Sequence, residues 1–147
     1  MDDNSIKEAI ETYIPSNNRS QVIQTAAHKI IMDAYNANPT SMWAALLNFE
    51  KLNDKIKVAI LGDMFELGRE AEKEHQNIVD LASTMLLDKI ILIGKNFYNT
   101  KIVSPKVQVF ESFDDFKNNF NHSQIEFATI FIKGSRGMAL ERVLELL

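Results

Sequence analysis

Short apolar runs alternate along the chain with stretches of helical spacing, and this alternation alone predicts a fold. HKIIMDA (28–34), KVAILG (57–62), KIILIG (89–94) and ATIFIKG (128–134) are rich in β-branched residues and bounded by turn residues, so they read as strands. Their hydrophobicity is nearly continuous, the pattern of parallel strands covered on both faces. QVIQTA (21–26) and VQVFES (107–112) read as two weaker strands. Between the runs the period changes. Over 40–52, Met42, Ala45, Leu46, Phe49 and Leu52 share one helical face, and over 69–87 so do Ala71, His75, Ile78, Leu81, Ala82 and Met85. Residues 113–121 gather Phe113, Phe116 and Phe120 behind a cap formed by Ser112 and Asp115. A last helix is predicted over 137–147, presenting Met138, Leu140, Val143, Leu144 and Leu147. At the front, Ile6, Ile10 and Tyr13 predict a helix over 1–13 that Pro15 ends.

Strands alternating with helices give an α/β, Rossmann-like three-layer domain: a mostly parallel sheet of about six strands with helices on both faces. The length of 147 residues fits one core. Composition narrows the functions. The net charge of -4 argues against a general nucleic-acid surface, which would show a basic excess. With no cysteine, disulfides, thiolate metal sites and cysteine nucleophiles are excluded. No apolar stretch approaches the roughly 20 residues that span a bilayer. The N-terminal MDDNSIKEAI is acidic where a signal peptide would be basic, so a cytoplasmic, membrane-independent protein is expected.

Candidate chemistry lies in three loops that leave the strand ends, where open α/β sheets bind ligands. In DAYNANPTS, Asn38 and Pro39 are explained as the cap and first turn of the next helix. Asp33, Tyr35 and Asn36 are not; a carboxylate, a phenol and an amide at a strand end suit a ribose hydroxyl, a base edge or a metal-bound water. In GDMFELGREAEKEH (62–75), Asp63 and Glu66 suit either acid/base or divalent-metal chemistry, or simply a capped turn and a solvated acid. His75 lies on an apolar face and reads as a satisfied, half-buried histidine; no second histidine stands at metal-ligand spacing, so no metal site is expected. In KGSRG (133–137), Lys133, Ser135 and Arg136 beside two glycines suit a carboxylate or phosphate pocket, or a solvated cationic turn. Arg19, in IPSNNRSQ, is one further cation. There is no triphosphate loop of the G-x-x-x-x-G-K-[ST] type, no G-x-G-x-x-G fingerprint and no G-x-S-x-G elbow.

Taken in order, DAYNANPTSMWAAL, ILGDMFELGREAEKEH and IFIKGSRGMALERVL resemble the C-terminal domain of the Mur ligases, in particular the MurF branch, from about Asn18 to the end of the chain. The resemblance implies an ATP-dependent amide ligase of peptidoglycan precursor synthesis. In that family ATP and Mg2+ are bound mainly by a central domain, the carboxylate of a UDP-N-acetylmuramoyl-tripeptide is phosphorylated, and the amine of D-Ala-D-Ala displaces the phosphate. It further implies that residues 1–17 are a linker from that central domain, that 18–147 form the C-terminal domain, and that the N-terminal and central domains are partners lying outside this chain. Such a domain alone is expected to be monomeric and catalytically incomplete. Position by position, Arg19 matches the arginine that reaches the ATP phosphates on domain closure, and Asp33 the acid that contacts the ribose. Tyr35, Asn36 and Asn38 fall in the nucleotide-facing loop. Asp63, Lys133, Ser135 and Arg136 fall in the wall that holds the dipeptide, with Lys133 or Arg136 pairing its carboxylate. The segment around Arg19 is more polar than the Pro-Gly-Arg type common in the family. Two alternatives are a stand-alone module for a small anion or nucleotide, and a folylpolyglutamate synthetase type, against which the Y-N-A-N-P and G-D-M-x-E-L-G loops argue.

Overall fold

The two most apolar runs take the centre of the sheet. β3 (Lys57–Gly62) and β6 (Thr129–Lys133) pair in parallel there, and all their residues are buried, which is why neither run alternates. β2 (Lys29–Asp33) pairs with β6, and β4 (Lys89–Ile93) with β3, both in parallel. β5 (Val107–Phe110) closes one edge in parallel, and β1 (Gln21–Gln24) closes the other as the single antiparallel strand, giving the order β1-β2-β6-β3-β4-β5. All six expected strands are therefore present. The computed structural model describes residues 21–25, 28–33, 37–121, 125 and 127–146. The expected helix over 1–13 and the site residues Arg19, Tyr35 and Asn36 lie outside them.

Side chains of successive strand residues enter opposite layers. Ala59, Leu61, Ile90, Leu92 and Phe131 join one core with Met42, Leu46 and Phe49 of α1 (Pro39–Glu50), Ile78 and Ala82 of α2 (Ala71–Ser83) and Phe97 of α3 (Lys95–Tyr98). Val58, Ile60, Ile91, Ile93, Ile130 and Ile132 join the other with Phe116 of α4 (Phe113–Asn119) and with Leu140 and Val143 beyond β6. The predicted face of each of the first two long helices is thus the one that packs on the sheet. Among the described residues no helix is long and apolar enough to cross a membrane.

Neither α1 nor α2 carries a basic residue in its last turn, where cations favour the helix carbonyls. Two strand-side lysines supply the charge instead. Lys57, buried at the start of β3, donates from Nζ to the carbonyls of Glu50, at 2.5 Å, and Leu52, at 2.8 Å. Lys106 donates likewise to the carbonyl of Met85, just past α2. Lys57→Met would keep the apolar stem and strand two part-buried carbonyls; we expect a loss of about 2 kcal/mol in urea unfolding at unchanged m-value.

Two elements differ from expectation. α3 is a four-residue helix inside a stretch too short to show a period. The final segment is two 3-10 stretches, Arg136–Met138 and Leu140–Leu146, rather than one α-helix. The break falls at Ala139, whose φ of 52° is left-handed. Its physical reason is Leu140: the Cδ1 atom of that side chain lies 2.8 Å from where a Cβ on Gly62 or on Gly134 would stand, so the chain turns to drop Leu140 into the space the two glycines leave. The apolar face is kept, with Leu140 and Val143 buried.

Candidate functional site

The carboxyl ends of β2, β6, β3 and β4 bring Asp33, Lys133, Asp63 and Gly94 to one edge of the sheet. Asp33 and Lys133 are register partners on adjacent strands, so their side chains emerge side by side on the same face. Lys133 Nζ lies 2.8 Å from Asp33 Oδ2, with side-chain exposures of 3% and 11%. Sequence reading had placed these residues with different ligands; the fold pairs them with each other.

One strand further on, the 62–67 loop is fastened to the loop after β6. The Ser135 amide donates to the Asp63 carbonyl at 3.1 Å, and Ser135 Oγ accepts from the Phe65 amide at 2.7 Å. Gly137 leaves room for the Phe65 ring, whose Cε2 would stand 2.5 Å from a Cβ there. Ser135 is buried and its hydroxyl oxygen is engaged within this clamp.

Asp63 points the other way. Its Oδ2 accepts from the Asn96 amide at 2.9 Å and its Oδ1 from the Phe97 amide at 3.1 Å, so it caps α3 from a different loop. The cap position itself is Gly94, with φ 135°, and a Cβ there would lie 2.2 Å from Asp63 Cγ. Asp63 is thus a cap, though of a helix on another loop and not of a turn in its own, and it also lines the cavity described below. Glu66 is exposed, in left-handed backbone at φ 66°, while Asp63 is buried.

His75 is fully buried, where sequence reading made it half-buried, and both ring nitrogens are satisfied. The Met64 amide approaches Nε2 at 2.9 Å and the Ala71 carbonyl approaches Nδ1 at 2.6 Å. An amide gives only a proton and a carbonyl only accepts one, so the ring is the neutral Nδ1–H tautomer. Nε2 stands 3.8 Å from Asp63 Oδ1, two acceptors with no proton between them. Asn38 fulfils its expected structural part: its Oδ1 accepts from the Ser41 amide at 2.8 Å, and Ser41 Oγ accepts from the Asn38 amide at 3.1 Å.

Between the clamped loops and the ends of β4 and β5 lies an open cavity of roughly 480 Å³. Its walls include Phe65, Phe113 and Met138, and its charged groups are Asp63, Lys95, Glu111 and Arg142. Arg142 is partly committed, donating to the carbonyls of Ala139 at 2.9 Å and Met138 at 2.8 Å with its guanidinium 4.1 Å over the Phe113 ring. Lys95 is exposed at the mouth. Neither Lys133, Ser135 nor Arg136 lines this cavity; Arg136 is exposed beside it. Lys95 and Arg142 were missed in the sequence. The signal available for Lys95 was the glycine before it, at the end of the KIILI run, which marks a fourth strand exit beside the three that were read in detail.

Residues 18–136 match the family model described as Mur ligase, glutamate ligase domain. The UDP-N-acetylmuramoyl-tripeptide–D-alanyl-D-alanine ligase of Borreliella burgdorferi is 32% identical over 99% of this chain and 32% of its own length. A crystal structure of MurF from Acinetobacter baumannii superposes with a TM-score of 0.78 at 30% identity, covering 91% of this chain and 30% of that one. The MurF ligase of Thermotoga maritima, solved in complex with ADP, shares the fold at a TM-score of 0.69 and 23% identity, over 94% of this chain and 31% of its own. The chain thus spans about a third of the length of the relatives it matches.

Proposed function

This chain belongs to the Mur ligase family, by its glutamate ligase domain, and from that premise we propose that it is the C-terminal domain of a ligase that joins D-Ala-D-Ala to a UDP-N-acetylmuramoyl-tripeptide. The activity belongs to a complete ligase that also holds the two thirds of the relatives' length this chain does not span. Three loops reaching one sheet edge support the reading, with a carboxylate on one side of the β6 exit and an amphipathic cavity on the other.

The donor set fits a nucleotide in part. Asp33, with one carboxylate oxygen on Lys133, keeps its other oxygen for a sugar hydroxyl, and the Asn38 side chain is exposed at the start of α1. The described residues contain no group of three or more histidine or acidic side chains for a metal. This chain is accordingly assigned the sugar end of ATP, with Mg2+ and the phosphates on the central domain and Arg19 reaching them on closure. Bound ATP would supply the phosphoryl group that activates the tripeptide carboxylate. The cavity beside Phe65 takes the dipeptide: its apolar walls suit two methyl groups, and Lys95 at the mouth suits the terminal carboxylate. The domain acts by holding amine and nucleotide at fixed separation and by excluding water as the domains close.

A two-sided test follows. In the complete ligase, Asp33→Asn is expected to raise KM for ATP about tenfold with KM for D-Ala-D-Ala unchanged, and Lys95→Met to do the converse, each worth about 1.4 kcal/mol of binding. Steady-state phosphate release reads both. If both variants keep both constants, the two-sided reading is wrong.

A further inference from the structure

We propose that Lys133 is a positioning residue on the nucleotide side, the fixed counter-charge of Asp33, and that it makes no contact with the dipeptide; this rests on the ligase reading above. Three observations carry it. The ammonium and the carboxylate are 2.8 Å apart at register-paired positions of two adjacent parallel strands, so backbone pairing sets their separation. The lysine is 97% buried, and it does not line the cavity between Phe65 and Phe113 where the cations are Lys95 and Arg142. Asp33 faces a separate recess of its own, shared with Asn48, Phe49 and Phe131 under α1.

The chemistry gives the lysine its task. An aspartate removed from water at a strand end holds its charge only beside a compensating cation. With the cation on Oδ2, the plane of the carboxylate is fixed, so Oδ1 is presented as an acceptor in one direction. A sugar hydroxyl donates to such an acceptor at low orientational cost. Removing the ammonium would free the Asp33 carboxylate to rotate away from that direction. The effect on nucleotide would thus be transmitted through Asp33, which a purely structural lysine would not do and a dipeptide-binding lysine would contradict.

The experiment is a double-substitution cycle in the complete ligase: Asp33→Asn, Lys133→Met and both together, with KM measured separately for ATP and for D-Ala-D-Ala. Lys133→Met alone is expected to raise KM for ATP about tenfold and to leave KM for D-Ala-D-Ala within about twofold. If that single variant does not fold, the double variant decides, because an asparagine needs no counter-charge. Adding Lys133→Met to Asp33→Asn should then move neither constant more than about twofold. A rise of tenfold or more in KM for D-Ala-D-Ala on adding Lys133→Met would overturn the proposal, as would a further tenfold rise for ATP in the Asp33→Asn background. The same cycle read by urea unfolding of this chain separates the inference from the ligase reading. Strong coupling, with each single variant far less stable than the double, supports the pair even where the wild-type ligase turns over another amine, and an additive cycle refutes it.

Discussion

Gly94→Ala is expected to lower the unfolding free energy by about 2–4 kcal/mol, the sum of about 1–3 for a side chain at a backbone angle open to glycine and about 1 for a lost helix cap. At φ 135° and ψ 160° the residue sits where L side chains are almost never found. The added methyl would also stand 2.2 Å from Asp63 Cγ and within 2.6 Å of both carboxylate oxygens. One of the two must move. Asp63 cannot yield without giving up the Asn96 and Phe97 amides, and its own amide is tied to the Ile93 carbonyl at 3.2 Å. The substitution therefore uncaps α3 and loosens the Phe65 wall in a single step. Gly68→Ala is the control. That glycine is also left-handed, at φ 58°, but nothing lies within 4 Å of its missing Cβ, so the cost is only about 1 kcal/mol. Equal losses in the two variants, measured by urea unfolding, would show that backbone strain alone matters and that the Asp63 contact contributes nothing.

The same residues show what the sequence could and could not reveal. The strands were legible because a run such as KVAILG is apolar at every position, and only a strand near the middle of a parallel sheet has both faces covered. The cap of α1 was legible because Asn38 and Pro39 act within one turn, to which the structure adds Ser41. What was not legible depends on strand order. Asp33 and Lys133 stand 100 residues apart and become neighbours only because β6 inserts between β2 and β3, so two residues read as belonging to different ligands turn out to share a bond. The helix α3 escaped notice since its cap lies 33 residues upstream, on another loop. The left-handed break at Ala139 follows from a contact between Leu140 and two glycines on separate strands, which no local period encodes. In each case a local rule was overridden by a tertiary contact at the edge of the sheet where the candidate site lies, the place where such departures are expected to gather.

His75→Leu is expected to cost about 3 kcal/mol, although leucine is the more apolar residue and the position is fully buried. The reason is what the ring leaves behind. Met64 would lose the acceptor of its buried amide proton, and Ala71 would lose the donor at 2.6 Å, while the edge-on contact with Phe97, at a centroid distance of 4.7 Å, would go as well. His75→Gln separates these losses. A glutamine oxygen is able to accept from Met64 and its amide nitrogen to donate to Ala71, so about half of the loss should return if hydrogen bonding dominates, and little if the ring contact does. Amide hydrogen exchange then locates the damage: Met64 and Phe65 should exchange faster in His75→Leu, while amides of β2 and β6 keep their protection relative to the lowered global stability. Faster exchange confined to α2 would instead place the role of the histidine in its own helix. Because the Phe65 amide is fastened to Ser135 and its ring covers Gly137, slack introduced at Met64 passes directly to the cavity wall. A residue with no path to the ligand thereby sets the shape of the pocket, through one unprotonated ring nitrogen facing one amide.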